Sequence, residues 1–133
     1  MIFKSEKWEL DTDKTTVRNI EDGNTYDFYT DHICYHLHYS EENYPERLQK
    51  LVDEGKILEY LEELDIKVTD AINDQMDVFM ENSKEYQIAL ESGNLLEGGR
   101  IGNMLREQAK EGIYASMVYV LSLIHISEPT RQA

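Results

Sequence analysis

Apolar residues recur at helical spacing over one long uninterrupted stretch, Lys56–Glu81. The stretch contains neither glycine nor proline, and its apolar positions lie three or four residues apart, as on one side of an α-helix. They are Ile57, Leu61, Leu64, Val68, Ile72, Met76 and Phe79. At about 1.5 Å per residue the helix would be about 39 Å long, so it would span a compact domain of this size or protrude from it. The poor helix formers Asn73 and Asp74 mark its weakest point.

Acidic residues occupy a second side of the same predicted helix. They are Glu59, Glu63, Asp70, Asp74, Asp77 and Glu81. Carboxylates one helical turn apart resemble the charge pattern of a phosphate backbone, so one hypothesis is an acidic DNA mimic that inhibits a nucleic-acid-binding protein. The simpler interpretation is a solvated outer face that keeps the protein soluble.

A short helix is predicted just before the long one. Pro45 suits the first turn of a helix, because a backbone N–H at that position would have no hydrogen-bond partner within the helix and its loss costs nothing. Glu46 is favourable near the positive end of the helix dipole. Leu48, Leu51 and Val52 form its apolar edge, and Gly55 is a suitable C-terminal cap.

Two further helices are predicted after the long one. Ser83 offers an N-terminal cap for a short helix over Lys84–Leu90. Gly98-Gly99 is expected to interrupt the chain, and a last helix is expected from about Arg100 to Val120, with apolar residues every four positions. The predicted fold class is therefore mainly α, a small antiparallel helical bundle in which the last helix packs on the long one.

The first 30 residues favour strands and turns. Two β-prone runs, Thr15–Ile20 and Thr25–Tyr29, flank a loop that contains Asp22-Gly23, which predicts a β-hairpin. The apolar residues before Thr15 either add a third strand or lie across the helices. A lone hairpin is marginally stable in water, so it must dock on the rest of the chain. We expect a β-rich appendage over residues 1–40 and a helical domain over residues 41–120.

The final residues, 121–133, are expected to differ in origin from the rest, the alternative being a natural tail that begins apolar and ends polar. Leu121–Arg131 reads LSLIHISEPTR and resembles the translation of a transposase adapter used in sequencing libraries, and Gln132 and Ala133 would follow from the same DNA. Adapter-derived residues take no part in fold reasoning. The natural part of the chain is then expected to be Met1–Val120, and the position of its own C-terminus stays open.

Composition restricts the partners of the chain. Asp and Glu number 27 against 13 Lys and Arg, which gives a formal charge of −14. Direct nucleic-acid binding is not expected, because it depends on basic residues that neutralise phosphates; a basic protein partner remains open.

Cys34 is the sole cysteine, so no internal disulfide forms. Without a signal peptide or a membrane-spanning apolar run, the predicted location is the cytoplasm.

The segment Asp31–Tyr39 holds the most reactive side chains. In an extended strand His32, Cys34, His36 and His38 would share one face, where imidazole and thiolate are suitable ligands for Zn²⁺. In a helix His32 and His36 would lie one turn apart. Four successive positions on one strand span too far to surround one ion, and residues 1–120 hold no second cluster of Cys or His. No metal, cofactor or catalytic residue is therefore assigned.

Motifs typical of enzymes are missing. Gly98–Gly102 is glycine-rich and precedes a helix, but its spacing fits neither a P-loop nor a dinucleotide-binding loop. The acidic residues form no metalloenzyme helix and no calcium-binding loop. The prediction is that the chain is not an enzyme.

Several short motifs lie between residues 48 and 119. Gly55-Lys56-Ile57 is followed by Tyr60-Leu61, and Met76 lies inside the acidic helix. A C-terminal series consists of Asn103, Leu105-Arg106, Gln108-Ala109, Glu111, Ile113 and Val118-Tyr119. In these motifs, residues 48–119 resemble the transposon-encoded TnpV family of small helical proteins. The tryptophan that usually introduces the last helix of the family is absent here.

The resemblance implies an accessory protein of a bacterial mobile genetic element, with no established enzymatic activity or cofactor. Such a protein would act through contacts with a protein partner, whose identity the residues do not specify. Self-association through the predicted helices over residues 56–81 and 100–120 stays open.

Overall fold

A computed structural model of the chain describes residues 1–119. The chain is mainly helical, with an antiparallel four-stranded sheet at its N-terminus. The strands are β1 (Ile2–Lys4), β2 (Trp8–Asp11), β3 (Thr16–Asn19) and β4 (Thr25–Asp27). The helices are α1 (Asp31–Asn43), α2 (Pro45–Asp53), α3 (Ile57–Asn82), α4 (Lys84–Glu91) and α5 (Leu95–Ile113), followed by a terminal π-helix, Tyr114–Val118. The predicted adapter-derived residues lie outside the described part.

The sheet is a simple meander in which each strand pairs with the next along the chain. Phe3 is opposite Leu10, and Leu10 is opposite Val17. These three side chains are buried and share one face of the sheet, since residues paired across strands point to the same side. The predicted hairpin is confirmed as β3 and β4, with Gly23 in the connecting turn at φ +78°. The earlier apolar residues build two more strands rather than one.

Residues 31–43 are helical, so the helical alternative for the histidine-rich segment is the one observed. Ile33, Leu37 and Ser40 are buried along one side of α1 at spacings of four and three residues. This burial favours the helix because an extended strand would separate these three side chains between two faces. The strands end at Asp27, and residue 40, the expected end of a β-rich appendage, lies within α1.

Helix α2 begins at the proline that the sequence predicted and is followed by the predicted glycine. Pro45 is in the first turn of α2, and Gly55 follows the helix at φ +71°. A side chain at Gly55 would bring its Cβ to 3.3 Å from Nε1 of Trp8. Glycine therefore serves both the left-handed backbone and the close approach of β2.

The prediction that Gly98-Gly99 interrupts the chain is wrong, because both residues lie within α5. The helix begins at Leu95, after Asn94 caps it by accepting a hydrogen bond from the N–H of Glu97. A Cβ built at Gly98 would contact Leu90 at 3.6 Å and Ala89 at 3.9 Å, both in α4. Packing of α5 on α4 thus outweighs the weak helix propensity of glycine.

The last predicted helix also ends differently. The α-helical part of α5 ends at Ile113 and continues as the π-helix Tyr114–Val118. Val118, at its end, is fully buried in the main core.

One main core joins the sheet and the helices. It contains Phe3, Leu10 and Val17 from the sheet and the apolar side of α3, with members from α1, α2, α5 and the π-helix. A second, smaller cluster consists of Ala89, Ile101 and Leu105 between α4 and α5. The sheet is therefore docked on the helices, as the marginal stability of an isolated hairpin requires. Within residues 1–119 no helix has the length and apolarity to cross a membrane.

Candidate functional site

Helix α1 separates its reactive side chains into two groups. Each residue of an α-helix is rotated by about 100° from the one before, so positions four apart share a side. His32 and His36 are buried on the inner side, whereas Cys34 and His38 are partly exposed on another. The arrangement does not bring these four predicted metal-ligand candidates together around one point.

His36 is the centre of a buried hydrogen-bonded junction. Its Nδ1 is 2.8 Å from the carbonyl oxygen of Val118, and its Nε2 is 2.8 Å from the hydroxyl of Tyr60. A carbonyl only accepts, so Nδ1 carries the proton and donates it, and Nε2 accepts from the Tyr60 hydroxyl. Burial lowers the pKa of His36. The neutral ring therefore links α1, α3 and the π-helix, and both of its nitrogens are occupied.

His32 makes a second contact between α1 and α3. Its Nε2 is 2.6 Å from Oδ1 of Asp65, and the Thr30 hydroxyl donates to the same oxygen at 3.0 Å. His32 is 5% exposed, so the contact is largely shielded from water. The sequence did not predict this pair, because Asp65 lies outside the acidic row of α3 and is 33 residues away from His32. The contact positions α1 on α3.

Tyrosine rings hold the π-helix against α1. Tyr35 contacts Tyr114 edge to face, with ring centroids 5.8 Å apart, and stacks on Tyr119 at 6.3 Å. Tyr39 approaches Tyr119 edge to face at 5.9 Å. These separations are within the range of favourable aromatic pairs. Burial, with smaller contributions from Asp31 and Tyr35, raises the pKa of Tyr114 to about 12. These tyrosines pack the π-helix and the residue that follows it against α1. This cluster was not predicted from the sequence.

The other two reactive side chains of α1, Cys34 and His38, lie next to each other. Cys34 Sγ is 3.7 Å from Nδ1 of His38. A ring nitrogen of His38 and carboxylate oxygens of Asp13 and Glu41 lie within 4.8 Å of one another. Asp13 comes from the β2–β3 turn, and Glu41 is one turn further along α1. The sequence pattern does not reveal this triad, because Asp13 lies far from His38 and Glu41 along the chain and meets them only when the sheet docks on the helices.

The acidic side of α3 is an extended charged surface. All six carboxylates predicted for it are exposed: Glu59, Glu63, Asp70, Asp74, Asp77 and Glu81. They extend over about 33 Å of helix. Ile66 and Val78 are 62% and 47% exposed on the same helix. The outer side of α3 therefore combines negative charge with apolar contact area.

Comparisons of the chain with protein-family models, curated proteins and solved structures found no match. The resemblance to the TnpV family thus rests on the residues of this chain alone and stays a prediction. The fold defines a class of protein only in broad terms: an α-rich chain with a small antiparallel sheet packed on its helices.

Proposed function

We propose that this chain is a non-enzymatic accessory protein of a bacterial mobile genetic element, located in the cytoplasm, that binds a basic protein partner through the outer side of α3. The observation that carries the proposal is the row of six exposed carboxylates on a helix of 26 uninterrupted residues. The resemblance of residues 48–119 to the TnpV family supplies the genetic setting.

Charge alone gives a surface of this kind little affinity. An exposed ion pair contributes about 0.2–1 kcal/mol and is weakened by salt. Complementary fields mainly accelerate association and select partners of opposite charge. Ile66 and Val78 add apolar area that a partner would remove from water. The proposed partner therefore presents basic side chains together with some apolar contact area.

The packing of α3 supports its use as a rigid binding surface. His36 links Tyr60, near the start of α3, to Val118, which follows α5. Ile101 and Leu105 of α5 cluster with Phe79 and Met80 near the end of α3. These contacts fit α3 and α5 as the antiparallel pair of a small helical bundle. A preorganised helix loses little conformational freedom on binding.

DNA mimicry is the second candidate and explains the same surface more specifically. Six carboxylates over about 33 Å match the length of one turn of B-DNA, about 34 Å. In that case the partner is a nuclease, recombinase or regulator, and the acidic row occupies its DNA-binding groove.

The genetic setting is tested by the genes beside the one that encodes this chain. We expect transposase, recombinase or mobilisation genes within the same element. Their absence from the flanking DNA would contradict the proposed setting.

Binding is tested with the transposase or recombinase encoded on that element. A triple variant, Asp70→Asn, Asp74→Asn and Asp77→Asn, should weaken binding about tenfold in a titration at low salt, since three exposed ion pairs contribute about 0.2–1 kcal/mol each. The matched control, Glu6→Gln, Glu42→Gln and Glu91→Gln, changes the net charge equally at exposed positions outside α3 and should alter binding less than twofold. Equal effects of both triple variants would refute the α3 surface.

A DNA duplex added to the complex separates the two candidates. If the chain is a DNA mimic, the duplex and the chain exclude each other from the partner. If the chain binds elsewhere, all three associate together.

A further inference from the structure

We propose that Asp13, His38 and Glu41 form a binding site for a divalent transition-metal ion, with Zn²⁺ as the reference ion. One ligand atom from each residue lies within 4.8 Å of the other two. Ligands bound to one Zn²⁺ at about 2.0–2.2 Å lie about 3–4 Å apart, so small side-chain rotations suffice to close the set.

The three ligands come from two elements whose relative position the core determines. His38 and Glu41 are three residues apart on α1, a spacing that places two side chains on the same side of a helix. Asp13 is in the turn between β2 and β3. The sheet packs on the helices through Leu10 and Val17, which are fully buried on either side of that turn. The turn is therefore held at the surface of α1.

Neighbouring side chains orient two of the ligands. Thr12 is fully buried, and its hydroxyl donates a hydrogen bond to Oε1 of Glu41. The Cys34 thiol lies 3.7 Å from Nδ1 of His38 and restrains the ring. Metal ligands in proteins are commonly held by hydrogen bonds of this second layer, which reduce the cost of assembling the site.

A positive group already lies between the two carboxylates. The Met1 ammonium is 3.1 Å from Asp13 Oδ2 and 3.9 Å from Glu41 Oε1. The surface therefore attracts cations, and the ammonium competes with a metal ion for the same oxygens. One imidazole with two carboxylates is a donor set that suits Zn²⁺ and other first-row divalent ions.

The test is calorimetric titration of the chelator-treated full chain with Zn²⁺, together with the absorption spectrum of the Co²⁺-loaded protein. We expect one equivalent of Zn²⁺ to bind. Asp13→Asn, His38→Gln and Glu41→Gln should each weaken binding at least about tenfold, because each removes one of three ligands. Glu42→Gln is the matched control, since it removes an exposed carboxylate next to Glu41 on the same helix and should leave binding unchanged.

Several outcomes would overturn the proposal. Absence of saturable Zn²⁺ binding would do so, and so would binding that Glu42→Gln weakens as much as Glu41→Gln, which indicates diffuse attraction to the acidic surface. Binding retained in His38→Gln but lost in His32→Gln would assign the metal to the inner side of α1 instead. Circular dichroism of each variant establishes that a loss of binding is not a loss of folding.

Discussion

Replacing Tyr60 by phenylalanine tests the buried junction that joins α1, α3 and the π-helix. The substitution removes only the hydroxyl that donates to Nε2 of His36 at 2.8 Å. Tyr60 is 7% exposed and His36 is fully buried, so water cannot readily replace the lost donor. The Nε2 atom is then left as a buried acceptor without a partner.

The expected cost follows from that geometry. A typical internal hydrogen bond contributes about 1 kcal/mol, and an unsatisfied buried acceptor costs about 1–3 kcal/mol. We expect the free energy of unfolding to fall by about 2 kcal/mol in Tyr60→Phe. For a chain of this length the melting temperature should then fall by about 6–12 °C.

Urea unfolding followed by circular dichroism measures this difference. The control is Tyr29→Phe, which removes a hydroxyl that donates to Asp27 at 3.2 Å from a side chain that is 87% exposed. The control should change stability by no more than about 0.5 kcal/mol. If Tyr60→Phe is as mild as Tyr29→Phe, the hydrogen bond to His36 does not stabilise the junction and the reasoning fails.

Two further predictions concern pH and glycine. Because burial lowers the pKa of His36 from its ordinary value of 6.5, the unfolded chain takes up this proton first, and stability declines as the pH falls below about 6.5. The wild type should lose up to about 1.4 kcal/mol per pH unit more than His36→Gln in urea unfolding between pH 7.5 and 5.5; parallel losses would contradict this. Gly99→Ala should stabilise the chain by about 0.5–1 kcal/mol, since nothing lies within 4 Å of its Cβ. Gly55→Ala should destabilise it by about 1–2 kcal/mol, since φ is +71°; thermal melts showing the same sign for both would refute the contrast.

The helices whose signals are local were predicted closely. The long helix was expected over Lys56–Glu81 and is observed over Ile57–Asn82, because seven apolar positions and the absence of helix breakers leave no competing structure. Asn73-Asp74, the expected weak point, lies inside it without a break. Burial of Ile72 and Met76 beside these residues outweighs their low propensity.

Where the prediction failed or stayed open, contacts between distant residues decide the structure. The alternation of Asp31–Tyr39 fits both a strand and a helix, and the partner of His36, Val118, lies 82 residues away. Gly98 is helical because α4 packs against it, a contact that the local dipeptide does not reveal. The triad of Asp13, His38 and Glu41 depends on how the sheet docks.

Helix α1 has two sides with separate roles, and this separation makes the two proposals independent. Its inner side, with His32 and His36, fixes α3 and the π-helix through buried hydrogen bonds. Its outer side, with His38 and Glu41, meets the β2–β3 turn. The acidic residues of α3 are exposed on a different helix, and none of them belongs to the triad. A metal ion at the triad would therefore tie the sheet to α1 without altering the surface proposed for the partner.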